Sequence, residues 1–362
     1  MGYPDTFEGF MIESTDKWSD FKKQEFKPKP FEEYDIDIAI IACGVCGSDV
    51  HTITGGWGAP NLPLCVGHEI VGKAIKVGPK VTSVKEGDRV GVGAQIWACL
   101  KCRICKSDNE NYCPRQVDTY NAPYPDGTIA QGGYASHVRA HEYFTFKIPD
   151  NIETELAAPM LCAGITTWSP LTRHNTGPGK KVAILGIGGL GHYGLLWASA
   201  LGAEVYALSH TPEKEADAKK LGAKTFIDTT KKDWAKDLAF TFDLILNCAD
   251  MTYEFDMPTY LSTLTVNGTF HNVGIPDEAI PSLNLGAFAS NGSFLGTSHI
   301  GSRPEMLAMF QLASEKRKQI EPMVETVQIG EEGCKKAVED TKTNKVRYRY
   351  TLVGYDKVFG SR

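Results

Sequence analysis

The glycine-rich segment Gly186-Ile-Gly188-Gly189-Leu190-Gly191 constrains the fold of this chain more than any other part of its sequence. It directly follows Lys181–Leu185, a short pattern typical of a buried strand, and precedes an apolar stretch that extends to Ala200. In this strand–turn–helix context the glycines permit a tight turn, and they let backbone N–H groups at the start of a helix approach a pyrophosphate. The segment therefore predicts a dinucleotide-binding unit.

Strand and helix patterns alternate after this segment. Because such alternation is typical of a parallel sheet with helices on both faces, we predict a doubly wound, Rossmann-type sheet over residues 156–295. The predicted elements are a second strand at Glu204–Leu208, a helix at Pro212–Leu221, a third strand at Thr225–Ile227 and a fourth at Phe242–Asn247.

The end of the second predicted strand indicates which coenzyme is bound. An NAD site usually has an acidic residue there, about 20 positions beyond the glycines. This chain has Ser209-His210-Thr211 instead, with Lys214 one turn later. A carboxylate would repel a 2'-phosphate, whereas a hydroxyl and a nearby cation would bind it, so we predict NADP(H). The alternative is that Lys214 only begins a solvated helix face and that His210 is an exposed loop residue.

Four of the ten cysteines lie within fifteen residues. Cys99, Cys102, Cys105 and Cys113 have the spacing C-x2-C-x2-C-x7-C, which lets one loop surround a tetrahedral ion with four thiolates. An iron–sulfur cluster remains an alternative, because similar spacings bind such clusters and Pro114 follows the last cysteine. Four free loop thiols would be open to oxidation, so the segment predicts a closed metal site.

A second group of metal-binding residue types is dispersed along the chain. Cys46, His68 and Cys162 supply two thiolates and one imidazole, the set that leaves a fourth zinc position open for water or substrate. Each residue alone could equally be a buried core residue. Together with the dinucleotide signal, they predict a catalytic zinc.

Residues 1–155 are rich in glycine, proline and short β-branched runs, such as Ile36–Ile41 and Ile70–Val77. This pattern predicts an antiparallel, barrel-like β domain with loops. A helix is predicted at Pro304–Lys318 and a last strand at Arg347–Val353, whose β-rich character fits the first domain better than the second. We therefore expect a discontinuous catalytic domain over residues 1–155 and 296–362.

Six motifs follow one another in an order that resembles one family, the zinc-dependent medium-chain dehydrogenases, specifically their cinnamyl-alcohol dehydrogenase group with its NADP-dependent members. The resemblance covers essentially the whole chain and implies a GroES-like β-barrel catalytic domain joined to a Rossmann domain. Its motifs are Cys43-Gly-Val-Cys46-Gly-Ser48-Asp49, Val66-Gly-His68-Glu69-Ile-Val-Gly72, the four-cysteine segment, Leu161-Cys162-Ala-Gly-Ile-Thr166, Gly186–Gly191 and Val346–Val353.

The resemblance assigns two zinc ions per chain. The catalytic ion is held by Cys46, His68 and Cys162, and Glu69 is a fourth ligand when substrate and water are absent. The structural ion takes the four clustered cysteines. Asp49 would orient His68, as metal-bound histidines usually require; the alternative is an aspartate on a helix surface.

The resemblance also places residues around coenzyme and substrate. Thr166 would lie near the nicotinamide, and Arg349, rather than Arg347, would contact the cofactor phosphates. Trp57 stands where the family has a substrate-pocket residue, and its flat apolar ring suits aromatic or medium-chain aliphatic aldehydes. The alternative is a core tryptophan.

Ser48 and His51 lie three residues apart and share one face if their segment is helical. Zinc acidifies a bound alcohol, so a proton must leave as the hydride moves to the nicotinamide. Ser48 could take this proton and pass it, through a cofactor hydroxyl, to His51 at the solvent edge. The alternative is that His51 is only a surface residue.

These features predict a zinc-dependent alcohol dehydrogenase or aldehyde reductase that uses NADP(H) on a primary alcohol/aldehyde pair, aromatic or medium-chain aliphatic. The alternatives are an NAD-dependent zinc polyol or secondary-alcohol dehydrogenase, and a zinc-stabilised protein that has lost the chemistry. A zinc-free quinone or enoyl reductase is disfavoured because all seven ligand positions are filled.

Charge and hydropathy limit the partners. The net charge of −6, from 38 basic and 44 acidic residues, lacks the basic surface that nucleic acids require, and no apolar run approaches the length of about 18 residues that spans a membrane. We expect a cytoplasmic protein that binds small molecules. The resemblance suggests a homodimer joined through strands such as Gly292–Thr297. The remaining cysteines are expected to be core or surface thiols; they are Cys43, Cys65, Cys248 and Cys334.

Overall fold

The computed structural model describes residues 6–251, 255–277 and 283–360. The strands are β1 (Phe7–Met11), β2 (Lys22–Phe26), β3 (Asp35–Val45), β4 (Glu69–Val77), β5 (Arg89–Val92), β6 (Gln95–Trp97), β7 (Val117–Asp118), β8 (His137–His141), β9 (Thr145–Lys147), β10 (Lys181–Leu185), β11 (Glu204–Ser209), β12 (Thr225–Asp228), β13 (Phe242–Asn247), β14 (Leu264–Asn272), β15 (Phe294–Thr297), β16 (Val324–Gln328) and β17 (Arg349–Val353). The α-helices are α1 (Gly47–Ile53), α2 (Thr154–Pro159), α3 (Ile165–Arg173), α4 (Gly191–Ala200), α5 (Glu215–Lys220), α6 (Met257–Ser262), α7 (Leu285–Ala289), α8 (Arg303–Glu315), α9 (Glu331–Lys342) and α10 (Tyr355–Phe359).

The chain divides into two compact units. One, the β unit, comprises Met1–Cys162, Ser302–Ser314 and Met323–Arg362. The other, the parallel unit, comprises Ala163–Gly301 and Glu315–Pro322. The sequence-based boundaries lie at 155/156 and 295/296, and the assignment of a function to each domain stays a prediction. Over the described residues, no helix has both the length and the apolar composition needed to cross a bilayer.

The β unit contains a seven-stranded sheet centred on β3, the strand with eleven residues. The strand order is β16-β17-β3-β4-β5-β9, and β8 also pairs with β3. All of these pairs are antiparallel except β16 with β17. This is the predicted GroES-like β architecture, and the pairing of the C-terminal β17 with β3 confirms that the last strand joins the first part of the chain.

The parallel unit contains a six-stranded sheet in the order β12-β11-β10-β13-β14-β15, with every pair parallel. The order is that of a Rossmann sheet, in which the chain begins in the middle and winds outwards in both directions. The four predicted strands of this unit are all found, and helix α4 packs against β10 and β11. The doubly wound fold is therefore confirmed.

Two predicted helices have different bounds in the structure. The segment predicted as a helix at 212–221 begins with a 3-10 turn at Pro212–Lys214, and only Glu215–Lys220 is α-helical. The predicted helix at 304–318 is α8, which ends at Glu315. Helix ends are decided by capping and packing contacts that a local apolar pattern does not specify.

Candidate functional site

The four clustered cysteines meet in one small lobe of the β unit. Their segment has short 3-10 turns at Cys105–Ser107 and Glu110–Tyr112. The Sγ–Sγ distances are 3.5 Å between Cys102 and Cys105, 3.6 Å between Cys99 and Cys113, 3.9 Å between Cys99 and Cys105, and 4.0 Å between Cys102 and Cys113. The prediction that this segment brings four thiols together is correct.

These distances fit a tetrahedral zinc ion. Thiolates at about 2.3 Å from such an ion lie about 3.8 Å from one another, which is the middle of the observed range. Backbone N–H groups also point at the sulfurs, for example that of Cys105 at 3.5 Å from the Sγ of Cys102. The backbone N–H of Lys101 lowers the pKa of Cys99 to about 5, which favours the thiolate that binds a metal.

A second cluster contains Cys46, His68, Glu69 and Cys162, all buried. Cys46 follows β3 and His68 precedes β4, and the antiparallel pairing of Gly44 with Glu69 places these two strand ends side by side. Cys162 lies on a π-helical turn, Met160–Gly164, between α2 and α3. The structure thus brings together the three dispersed residues that the sequence predicts as a catalytic site.

The geometry of this cluster suits a metal ion. One ligand atom from each of the four residues lies within 4.8 Å of the others, and the two sulfurs are 3.9 Å apart. The contact with Cys162 lowers the pKa of Cys46, and the same contact raises that of Cys162. Among the described residues, the buried Nε2 of His68 has no hydrogen-bond partner. A buried imidazole nitrogen beside two thiols fits zinc, which takes nitrogen and sulfur ligands.

Asp49 fixes the backbone next to two members of this cluster. It is fully buried, so the alternative of a surface aspartate is wrong. Its Oδ2 accepts hydrogen bonds from the backbone N–H of Cys46 at 2.9 Å and from the hydroxyl of Tyr134 at 3.2 Å, while its Oδ1 accepts from the N–H of Gly67 at 3.1 Å. Burial raises the pKa of Asp49. The carboxylate therefore connects the backbone of Cys46 with the residue that precedes His68.

Four further features of this cluster were not predicted from the sequence. The ring of Tyr120 stacks on His68 with centroids 5.3 Å apart and planes 13° apart. The hydroxyl of Tyr134 donates a hydrogen bond to the carboxylate of Asp49. Both tyrosines come from distant segments with no local motif. Gly67 has φ +101°, and a β-carbon there would collide with the ring of Tyr134. The π-helical turn had one available signal, Pro159 within α2, because proline interrupts regular helix hydrogen bonding.

Arg349 lies in a different environment from the one expected of a phosphate ligand. It is buried, and its guanidinium forms an ion pair with Oε1 of Glu69. The other oxygen, Oε2, has no hydrogen-bond partner among the described residues, and a β-carbon at Gly44 would overlap it. The ion pair thus fixes Glu69 within the cluster, and the contact of Arg349 with cofactor phosphates stays a prediction.

The predicted relay residues, Ser48 and His51, both lie on α1, and Trp57 follows this helix. The Oγ of Ser48 is 3.5 Å from the Sγ of Cys46, so the hydroxyl adjoins the cluster. The rings of His51 and Trp57 stack with centroids 4.6 Å apart and planes 9° apart. Trp57 is 45% exposed, so the alternative of a core tryptophan is wrong.

The glycine-rich segment of the parallel unit has the predicted loop geometry. Gly186 has φ +84°, and a β-carbon there would lie 2.6 Å from Cβ of Ala249. A β-carbon at Gly191, the first residue of α4, would overlap the carbonyl oxygen of Gly186. At Gly188 a β-carbon would meet no atom within 4 Å in the part of the chain that the structure describes. Gly186 and Gly191 are thus required by the loop itself, whereas Gly188 leaves space at the start of α4 for a ligand.

The residues predicted to select the coenzyme adjoin this loop. The Nζ of Lys214 donates a hydrogen bond of 2.7 Å to the carbonyl oxygen of Ile187, so the ammonium group lies at the glycine-rich segment and not on a solvated helix face. Ser209 is buried, and its Oγ accepts from the N–H of Thr211 at 3.1 Å. His210 is exposed, and Thr166 is half-buried in α3.

Comparisons with known proteins agree with this geometry. Residues 32–150 match the alcohol dehydrogenase GroES-like domain, and residues 189–315 match the zinc-binding dehydrogenase family. The chain is 47% identical to NADP-dependent alcohol dehydrogenase 6 of Saccharomyces cerevisiae over 99% of both chains. It resembles the structure of a cinnamyl alcohol dehydrogenase from Sorghum bicolor, with a TM-score of 0.90, 30% identity and 99% of both chains covered. It also resembles CAD from Helicobacter pylori complexed with NADP(H), with a TM-score of 0.87, 31% identity, and 96% and 98% of the two chains covered.

Proposed function

The chain belongs to the zinc-dependent medium-chain alcohol dehydrogenases, of the cinnamyl alcohol dehydrogenase type, and we propose that it interconverts primary alcohols and aldehydes with NADP(H). One observation carries this proposal: a buried cluster of two thiols and an imidazole, the ligand set of a catalytic zinc with an open fourth position. The names of the relatives support NADP(H) and aromatic aldehydes such as cinnamaldehyde. Ser209, in place of an acid, disfavours the NAD-dependent polyol alternative.

Two zinc ions per chain are part of this proposal. Cys46, His68 and Cys162 would hold the catalytic ion, and the four clustered cysteines the structural one. When bound, zinc acts as a Lewis acid on the substrate oxygen, and the nicotinamide donates or accepts the hydride. Asp49 fixes the backbone of Cys46, and the stacked ring of Tyr120 fixes His68, so the ligands are oriented before substrate arrives.

Ser48 and His51 transfer the proton of the reaction. Ser48 adjoins the sulfur of Cys46, so its hydroxyl is placed beside the position where the substrate oxygen would bind. In alcohol oxidation Ser48 accepts the hydroxyl proton, and His51 delivers it to solvent. In aldehyde reduction the same groups return a proton.

Replacement of His51 tests this relay. His51→Gln is expected to keep two zinc ions per chain but to lower turnover in alcohol oxidation roughly 10-fold or more, because a glutamine cannot exchange the proton. The loss should be largest at acidic pH, where hydroxide, the proton acceptor that could replace the histidine, is scarce. Steady-state rates from pH 6 to pH 9 measure it, and a pH profile identical to that of the wild type would contradict the relay.

The coenzyme preference has its own test. Lys214→Ala combined with Ser209→Asp should lower kcat/KM for NADPH roughly 10- to 100-fold, because a charge-assisted hydrogen bond to the 2'-phosphate is lost and a repulsive carboxylate is added. The ratio of kcat/KM for NADPH to that for NADH is the measurement. Lys219→Ala is the matched control, since Lys219 lies on α5 in an exposed ion pair with Glu215. An unchanged ratio in the double variant would refute the assigned site.

A homodimer in the cytoplasm completes the proposal. Strand β15 is at the edge of the parallel sheet, and it carries two exposed apolar side chains, Phe294 at 59% and Leu295 at 39%. An edge strand with exposed apolar residues is suited to pairing with a second copy. Sedimentation of the purified protein tests the dimer.

One measurement tests the function as a whole. Metal content per chain and initial rates of cinnamaldehyde reduction with NADPH and with NADH should be determined on one preparation. Two zinc ions and a strong preference for NADPH are expected. Two zinc ions with NADH preferred would overturn the coenzyme assignment, and no reduction with either coenzyme would contradict the proposed activity.

A further inference from the structure

Trp57 and His51 form one stacked pair. The centroids of their rings are 4.6 Å apart and the planes differ by 9°, so the imidazole covers one face of the indole. Trp57 is nevertheless 45% exposed. The sequence indicates two separate roles here, a relay histidine and a substrate-pocket ring, whereas the structure joins the two side chains.

A turn after α1 connects the two side chains, and glycines stand on both sides of Trp57. Helix α1 ends at Ile53, and the N–H of Gly56 then donates to the carbonyl oxygen of His51 at 2.8 Å. The flanking residues Gly55 and Gly58 have φ +76° and +111°. Glycine adopts this left-handed region readily, whereas other residues are strained there. The turn therefore returns the chain over the last turn of α1 and sets the indole on the imidazole.

Stacking has different strengths for the two protonation states of the imidazole. The face of an indole ring attracts a cation, and tryptophan provides the strongest such attraction among the aromatic side chains. A relay histidine becomes a cation when it accepts the proton from Ser48 and is neutral again after it releases that proton to solvent. The stack therefore holds the imidazole in one plane against the indole while the proton moves.

We propose that Trp57 is a positioning residue for the proton relay, which acts on His51 through this stack and not only as a wall for the substrate. The inference rests on the proposed dehydrogenase function. Replacement of Trp57 should thus lower kcat for alcohol oxidation, in addition to any effect on the KM of bulky substrates.

A double-mutant cycle between Trp57 and His51 tests the proposal. Trp57→Leu keeps an apolar side chain but removes the aromatic face, and it should lower kcat for cinnamyl alcohol oxidation roughly fivefold. Trp57→Phe retains a flat ring and should restore kcat to within about twofold of the wild type. In the His51→Gln background, Trp57→Leu should have no further effect on kcat.

Tyr34 provides a matched control. It is 42% exposed and stacks on His141 in the β unit, with centroids 5.6 Å apart and planes 24° apart. Tyr34→Leu removes a comparable histidine stack outside the relay and should leave kcat unchanged. Zinc content and thermal midpoints of all variants establish that they fold.

Two outcomes would overturn the proposal. One is a loss in Trp57→Leu that appears only in KM, and the other is a loss in kcat that persists fully in the His51→Gln background. Both would identify Trp57 as a substrate contact alone. Failure of the proposed function is distinguishable, because the wild-type protein would then oxidise no alcohol with NADP⁺.

Discussion

Replacement of Cys162 by serine is expected to remove one of two zinc ions per chain and to lower kcat/KM for aldehyde reduction roughly 10³-fold or more. Polarisation of the carbonyl by the metal accounts for several kcal/mol of the barrier, and about 4 kcal/mol corresponds to this factor. A serine hydroxyl is a poor substitute for a thiolate as a zinc ligand.

The design separates loss of the metal from loss of the fold. Cys334→Ser is a matched control, because Cys334 is equally buried but lies on α9 outside both metal-binding clusters. It should retain two zinc ions and wild-type activity. Metal analysis, thermal midpoints and initial rates on the same preparations are the measurements. A Cys162→Ser protein with two zinc ions and normal rates would show that the buried cluster is not the catalytic site.

Replacement of Cys105 by serine is expected to lower the stability of the protein more than its activity. The core of the cysteine lobe consists of Ala98, Phe144, Leu100, Tyr143 and the four cysteines themselves. Half of the residues in this small core are therefore metal ligands. Without a metal, little apolar packing remains to stabilise the loop. Structural zinc contributes about 10 to 16 kcal/mol to folding in small zinc-binding peptides, so loss of one ligand should cost several kcal/mol. We expect Cys105→Ser to lower the thermal midpoint by roughly 10 °C.

Calorimetry and metal analysis test this expectation together. The variant should contain one zinc ion per chain, and hydrogen exchange should become faster over residues 97–113 than in the rest of the β unit. The same metal analysis distinguishes zinc from an iron–sulfur cluster, which would appear as iron and as visible absorbance. A variant with an unchanged midpoint would show that the lobe is held by packing and not by its metal.

Local patterns in the sequence were sufficient to predict much of the fold and part of the candidate site. The glycine-rich segment between a strand and a helix predicts its own loop, because Gly186 and Gly191 meet local backbone requirements. The spacing of the four clustered cysteines likewise predicts their convergence, since one short loop contains them all. The strands around Ile36 and Ile70 were found because their β-branched runs are continuous in sequence.

Long-range contacts at the candidate site could not be predicted in the same way. Tyr120 on His68 and Tyr134 on Asp49 are brought together by the fold, and no spacing in the sequence indicates either contact. Arg349 was expected at a phosphate because its motif suggested it, but its ion pair with Glu69 depends on the pairing of β17 with β3 and of β3 with β4. The stack of Trp57 on His51 follows a turn that includes Gly55 in the left-handed region, a conformation that the sequence permits but does not specify.

The hydrogen bonds of Asp49 give the two metal-binding clusters different tolerance to demetallation. Cys46 and His68 stand at the ends of paired strands, and one buried carboxylate ties the backbone on both sides. This scaffold belongs to the sheet, so it should survive withdrawal of the ion, whereas the cysteine lobe has little scaffold beyond its own ligands. Removal of the ion from the Cys46, His68 and Cys162 cluster alone would thus yield an apoenzyme ready to be reloaded. Cobalt could then be introduced there selectively as a spectroscopic reporter.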